Sequence, residues 1–151
     1  MNTTQIIFLI TILICVEALM FVFLIRWAKS RMQERKQALV DEIAQSGEKI
    51  VLEPESALYR GGTESYSRVK GNGVIALTSK RLMFQKLIGG EVEVRIADIV
   101  SIAEDKWFLG AYQNGRQHLI LELKDGSKVG FMVNNHTHWM EAVRETLAKG
   151  H

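Results

Sequence analysis

Only one cysteine, Cys15, and one proline, Pro54, occur in the 151 residues. A lone cysteine excludes a disulfide framework and any cysteine-rich zinc module. With so little proline and 12 glycines, the chain is neither collagen-like, nor low-complexity, nor mostly disordered. No sign of charge dominates, since 19 basic against 17 acidic residues leave +2. That balance excludes a nucleic-acid binder working by bulk charge, and none is expected as a partner. What is present is 47% hydrophobic residues, enough for one modest domain plus an appendage. The apolar residues are unevenly spread.

Ile6 to Ile25 is a run of 20 residues interrupted only by Thr11 and Glu17. As a helix it extends about 30 Å, the thickness of a bilayer's hydrocarbon core. Backbone amides find no water in lipid, so a helix is the expected form. A cleaved signal peptide would begin with a basic segment, carry a shorter apolar stretch and end at a small-residue site. Residues 1–5 hold no Lys or Arg, and no Ala-x-Ala follows the run. A lipoprotein site at Cys15 is also rejected, because bulky Ile14 precedes it. The expectation is an uncleaved single-pass anchor over 1–27.

Arg26, Lys29, Arg31, Arg35 and Lys36 follow at once, and with Glu34 they give +4 over 26–36. By the positive-inside rule, the N-terminus lies outside and the rest is cytoplasmic, at the cell membrane. Trp27 suits the interfacial belt. The same five cations are candidate contacts for anionic lipid, if they do more than fix topology. Glu17 is costly at this depth. It either contacts a polar group on another transmembrane helix (a candidate partner contact) or is protonated and tolerated. With a single span, one chain cannot build a pore or a transporter.

Residues 28–47 form a basic juxtamembrane linker. Met32, Leu39, Val40 and Ile43 recur at helical spacing and Gly47 supplies a stop, so the transmembrane helix can continue into this stretch. From residue 48 onward, short aliphatic and aromatic runs alternate with Gly, Asn and Asp. Strands are predicted at Val51–Tyr59 (broken by Pro54), Gly73–Thr78, Arg81–Gln85, Glu91–Ile96, Ile99–Ala103, His118–Leu123 and Lys128–Val133. Arg60–Ser67 reads as a loop, and Lys124-Asp125-Gly126 as a hairpin turn. Trp139, Met140, Val143 and Leu147 mark one face of a terminal helix from His136 to Lys149. The fold class is therefore α+β: an antiparallel barrel of about seven strands, capped by a C-terminal helix and preceded by the transmembrane helix. That order already suggests a pleckstrin-homology-like barrel.

Gly73-Val-Ile-Ala-Leu-Thr-Ser-Lys-Arg-Leu-Met-Phe84 resembles the signature of the GRAM and bacterial pleckstrin-homology-like (PH-like) family. Ile96-Ala-Asp-Ile-Val-Ser-Ile102 is similar to the family's next element. Lys124-Asp-Gly, Phe131 and Trp139 fall where it has its last hairpin, strand and helix, so the resemblance spans residues 48–149 of a domain placed at 48–151. In the first motif, Thr78 and Ser79 satisfy backbone groups at the turn, and Leu77, Leu82 and Phe84 point inward. Lys80 and Arg81 are expected to face solvent. The resemblance implies an adaptor that binds a protein partner or lipid headgroups. The expected function is a membrane-anchored, non-enzymatic adaptor for a protein partner. The alternatives are a lipid-headgroup sensor, or an accessory subunit of a larger membrane complex reached through Glu17. The resemblance offers Arg60, Arg68, Lys70 and Lys86 as lipid-contact candidates. Against a broad attractive field, residues 37–151 hold 14 basic and 15 acidic side chains.

His136 and His138 lack a ligand partner at metal spacing, and Asn135 or Thr137 reads as a helix cap. Ser101, Ser127 and Cys15 lack a His and Asp arrangement, so no catalysis and no cofactor are expected. Trp107, Phe108 and Leu109 form an apolar cluster beside Tyr112-Gln-Asn-Gly-Arg116. On an exposed loop they would dock a partner or enter the bilayer interface. If they continue the strand from Ile99 they are half core, the expected outcome because aromatics near strand ends usually pack. They are retained as candidate partner contacts.

Overall fold

The computed structural model describes residues 2–150. Its first element, α1 (Thr3–Ser46), is a single unbroken helix of 44 residues, ended by Gly47 at φ 68°. No Gly or Pro interrupts it, and left-handed Gly47 closes it as C-terminal glycines do. The apolar stretch is long and apolar enough to cross a membrane, and its side chains are exposed.

Nine strands follow: β1 (Ile50–Gly62), β2 (Gly71–Thr78), β3 (Arg81–Lys86), β4 (Glu91–Arg95), β5 (Ile99–Asp105), β6 (Trp107–Phe108), β7 (Ala111–Tyr112), β8 (His118–Leu123) and β9 (Lys128–Met132). The chain then enters α2 (His136–Lys149), where the Asn135 side chain accepts the His138 N–H at 3.2 Å. Seven strands make one antiparallel sheet in the order β4-β3-β2-β1-β9-β8-β5, while β6 and β7 pair only with each other. The sheet curls around one core. Tyr59, Phe84 and Phe131 meet there with ring centroids 5.5–5.8 Å apart. Leu77, Leu82, Leu119, Leu121 and Val143 fill the remainder. Trp139 of α2 closes the open end, buried, with its indole N–H donating to Glu55 Oε1 at 2.9 Å. The loop after β1 ties edge strand β4 to the turn between β8 and β9. Its Tyr66 hydroxyl donates to Glu93 O on β4 at 3.1 Å, and Ser65 donates to Asp125 beyond β8 at 3.3 Å.

Three sequence expectations are corrected here. Pro54 does not break the first strand; β1 runs 13 residues through it, and the pairing with β2 slips between Leu52 and Glu55. A bulge leaves residues unpaired, which is where a residue lacking an N–H is tolerated. Arg60, Gly61 and Gly62 belong to this strand rather than to a loop. Arg81 is not solvent-facing. Its guanidinium reaches Glu42 on α1 and Glu48 after it, each at 3.2 Å, and Glu93 on β4 at 2.8 Å. Burial opposes its charge, yet hydrogen bonds to Glu93 and Glu48 outweigh that and raise its pKa above the usual arginine value.

The second half of α1 packs on the outside of the sheet. Leu39 and Ile43, both fully buried, seat on Val74, Ala76 and Met83, with Met32 and Ile50 flanking them. Met32, Leu39 and Ile43 share one helical face, so the linker is held against the domain rather than hanging free.

Candidate membrane and partner surfaces

The outer face of the sheet carries two covers side by side. One is α1. The other is the β6–β7 hairpin, which folds back over β8 and β9. Phe108 lies on Gly130, where any side chain would collide with its ring. Beneath the hairpin, Phe108, Ala111, His118, Ile120 and Met132 are all buried although none belongs to the inner core. Leu109 and Gly110 make its turn at φ 46° and 73°. Positive φ at both central residues matches the twist of a two-residue hairpin. On the other side of the hairpin Trp107 is 60% and Tyr112 49% exposed. Their rings stack at 4.7 Å with an interplanar angle of 25°.

Beside α1 lies a cleft of about 250 Å³, lined by Met32 of α1, Leu58, Asn72, Met132 and, from the loop after the hairpin, Arg116. The cluster expected to pack is therefore divided. Phe108 is buried against Gly130 under the hairpin, whereas Trp107 and Leu109 are exposed. A strand period of two turns alternate residues to opposite faces, which separates Trp107 from Phe108. Tyr112 and Arg116 join Trp107 and Leu109 on the exposed side, and the apolar-Leu-Gly-apolar spacing of a tight hairpin is the sequence signal for that placement.

His118 sits at the base of the hairpin. Its Nδ1 lies 2.9 Å from Asp105 O, and Nε2 is buried without a partner. Burial holds its pKa below the ordinary histidine value. Below an unfolded-state pKa of about 6.5 the unfolded chain takes up this proton before the folded one does, so stability falls with pH through that window. Thermal melts of the full chain in detergent between neutral and mildly acid pH are expected to show this decline. The slope should be shallower in His118→Phe, and an unchanged slope would remove His118 as the cause.

The lipid-contact candidates are not brought together into one pocket. Arg26 and Lys29 are exposed on α1, while Arg31, Arg35 and Lys36 are half-buried, Arg31 pairing with Glu34 at 3.1 Å. Arg68 and Lys70 are exposed on the β1–β2 loop, and Arg60 is half-buried on β1. Lys86 is corrected outright. It is buried, its ammonium donating to Val69 O at 2.8 Å and lying 5.0 Å from the Tyr59 ring centroid. That ring's own hydroxyl donates to Ser67 O at 2.6 Å, and burial pushes its pKa up to about 12. Glu17 is exposed on the apolar stretch of α1. Among the described residues, no group of three or more His, Cys, Asp or Glu is placed to hold a metal ion.

One sheet edge is open. β5 pairs only with β8, and most of it is exposed, with Val100 at 56%. The opposite edge, β4, alternates charged residues with buried valines and is partly covered by Tyr66.

No family model matches the chain, and no curated protein matches it in sequence. Among solved structures, the Vps36 N-terminal PH domain matches with a TM-score of 0.50 at 20% identity, over 69% of this chain and 82% of that one. The fold is pleckstrin-homology-like. In this PH-like domain the β6–β7 hairpin lies outside the seven-stranded sheet, and α2 follows the last strand. The C-terminal domain of an unknown protein from Leishmania infantum matches at TM-score 0.49 and 11% identity, over 74% of this chain and 94% of that one.

Proposed function

We propose that this chain is a membrane-anchored, non-enzymatic adaptor of the GRAM and PH-like kind. The apolar part of α1 spans the cell membrane with its N-terminus outside. The PH-like domain receives a protein partner at the cytoplasmic surface. The observation that carries the protein-binding part is the open edge of β5. A strand paired on one side only, exposed and with an apolar side chain at Val100, is a template for an added strand. β4 is covered in part by Tyr66, whereas β5, though it bulges at Val100 and ends in Glu104 and Asp105, has no further strand paired along its outer side. Tethering to the membrane makes contacts with another membrane protein effectively intramolecular, so a short edge interface suffices.

The expected result is that full-length protein, solubilised in mild detergent, retains a partner on affinity purification and that Val100→Glu loses it while its circular dichroism stays unchanged. Equal recovery from the variant would refute the edge as the binding site.

The headgroup-sensor alternative has less support. The basic candidates are dispersed, and Lys86 is committed to Val69 and Tyr59. An accessory subunit of a larger membrane complex, touched through Glu17, is compatible with the same anchor.

A further inference from the structure

We infer that the β6–β7 hairpin is a second membrane contact: its Trp107–Tyr112 stack and Leu109 seat in the headgroup layer of the bilayer that α1 crosses. This rests on the transmembrane reading of α1 and adds to it a surface of the folded domain.

Position is the first argument. Arg116, which follows the hairpin, lines the same cleft as Met32 of α1. The Tyr112 hydroxyl lies near Gly115, one residue before Arg116, and the Leu109 side chain lies near Gly61 at the end of β1. Met32 is five residues from Trp27, about 7.5 Å along a helix, whereas one headgroup layer is about 5–8 Å deep. Because α1 is unbroken and docked through Leu39 and Ile43, no flexible spacer lets the domain drift from that depth.

Chemistry is the second argument. Trp and Tyr concentrate at membrane–water interfaces, where an apolar ring and a polar tip are both satisfied. Here Trp107 is 60% and Tyr112 49% exposed while the hairpin is pinned by buried Phe108 and Ala111. Leu109 adds a third apolar group, partly seated near Gly61 of β1 and held at a positive φ that a bulky residue rarely adopts. Strain of that kind persists where the surrounding structure enforces it. Exposed Lys106 and Arg116 flank the apolar tip, and Arg26 and Lys29 on α1 favour the same anionic surface.

The test uses the full chain with Cys15→Ser, reconstituted in phosphatidylcholine vesicles containing phosphatidylglycerol and a lipid with a nitroxide on its headgroup. Single cysteines at Lys106→Cys (hairpin), Lys80→Cys (the β2–β3 turn) and Val22→Cys (the span) each carry an environment-sensitive fluorophore. A second set of vesicles carries the nitroxide deep on the acyl chain. The expected result is quenching at position 106 by headgroup nitroxide, several-fold above position 80, with a blue-shifted emission. Adding Trp107→Ala and Tyr112→Ala should bring position 106 to the level of position 80. Deep nitroxide quenching at position 22 with none at 106 would overturn the hairpin contact and leave the span standing. No quenching at position 22 would overturn both.

Discussion

Trp139→Ala is expected to lower the stability of the domain by about 3–5 kcal/mol, the range for emptying a large aromatic site in a core. The indole is fully enclosed and stoppers the barrel, and it also donates to Glu55. Its loss therefore adds an unsatisfied carboxylate at the barrel's end to the cavity. With roughly 4–8 °C per kcal/mol for a domain of this size, the midpoint should drop by more than about 10 °C. Urea unfolding of the full chain in detergent, followed by circular dichroism, measures the loss. Trp139→Phe keeps most of the packing and should lose less. A loss below about 1 kcal/mol in the alanine variant, the level of an ordinary point change, would mean that the helix does not close the core.

The second large effect concerns the seating of α1. Leu39→Asp with Ile43→Asp places two unpaired carboxylates against Val74, Ala76 and Met83. Each site forfeits about 1.5–3 kcal/mol of apolar burial, and desolvating the new charges makes the docked state less favourable still. The helix should leave the sheet while the inner core, which these residues do not touch, stays folded. Trypsin reports this directly. Arg31, Arg35 and Lys36 are half-buried along the docked face, so cleavage there should be slow in the native chain and fast in the double variant. Equal digestion of both would refute the docking.

These two sites differ in how far the sequence announced them. The periodicity of His136–Lys149, with Trp139, Met140, Val143 and Leu147 on one face, marked α2 to the residue. The hairpin at Lys124-Asp125-Gly126 was equally plain, because positive φ at Gly126 is a local requirement. Met32, Leu39 and Ile43 could be read as a helical stripe, but the surface receiving it lies more than 30 residues on and carries no local mark.

The cations show the same limit more sharply. Arg81 and Lys86 look alike from their neighbours, one at each end of a short strand. What buries Arg81 are Glu42 and Glu48, brought across by α1, and what buries Lys86 is a carbonyl on the preceding loop. Such partners are created by the fold and cannot be read from spacing. Pro54 misled for a different reason. A proline argues against a regular ladder position, and a bulge supplies an irregular one that no sequence signal near it discloses.

Helix α1 has no hinge anywhere between Thr3 and Ser46, and its lower half is fastened to β2 and β3. In the membrane-anchored arrangement proposed above, span and barrel behave as a mast and its hull. From Trp27 to Ser46 is about 28 Å of helix, so a tilt of about 20°, ordinary for membrane helices, swings the lower end sideways by roughly 10 Å. Bilayer thickness, or a neighbour gripping the upper half of the mast, would thereby steer where the domain points without touching it.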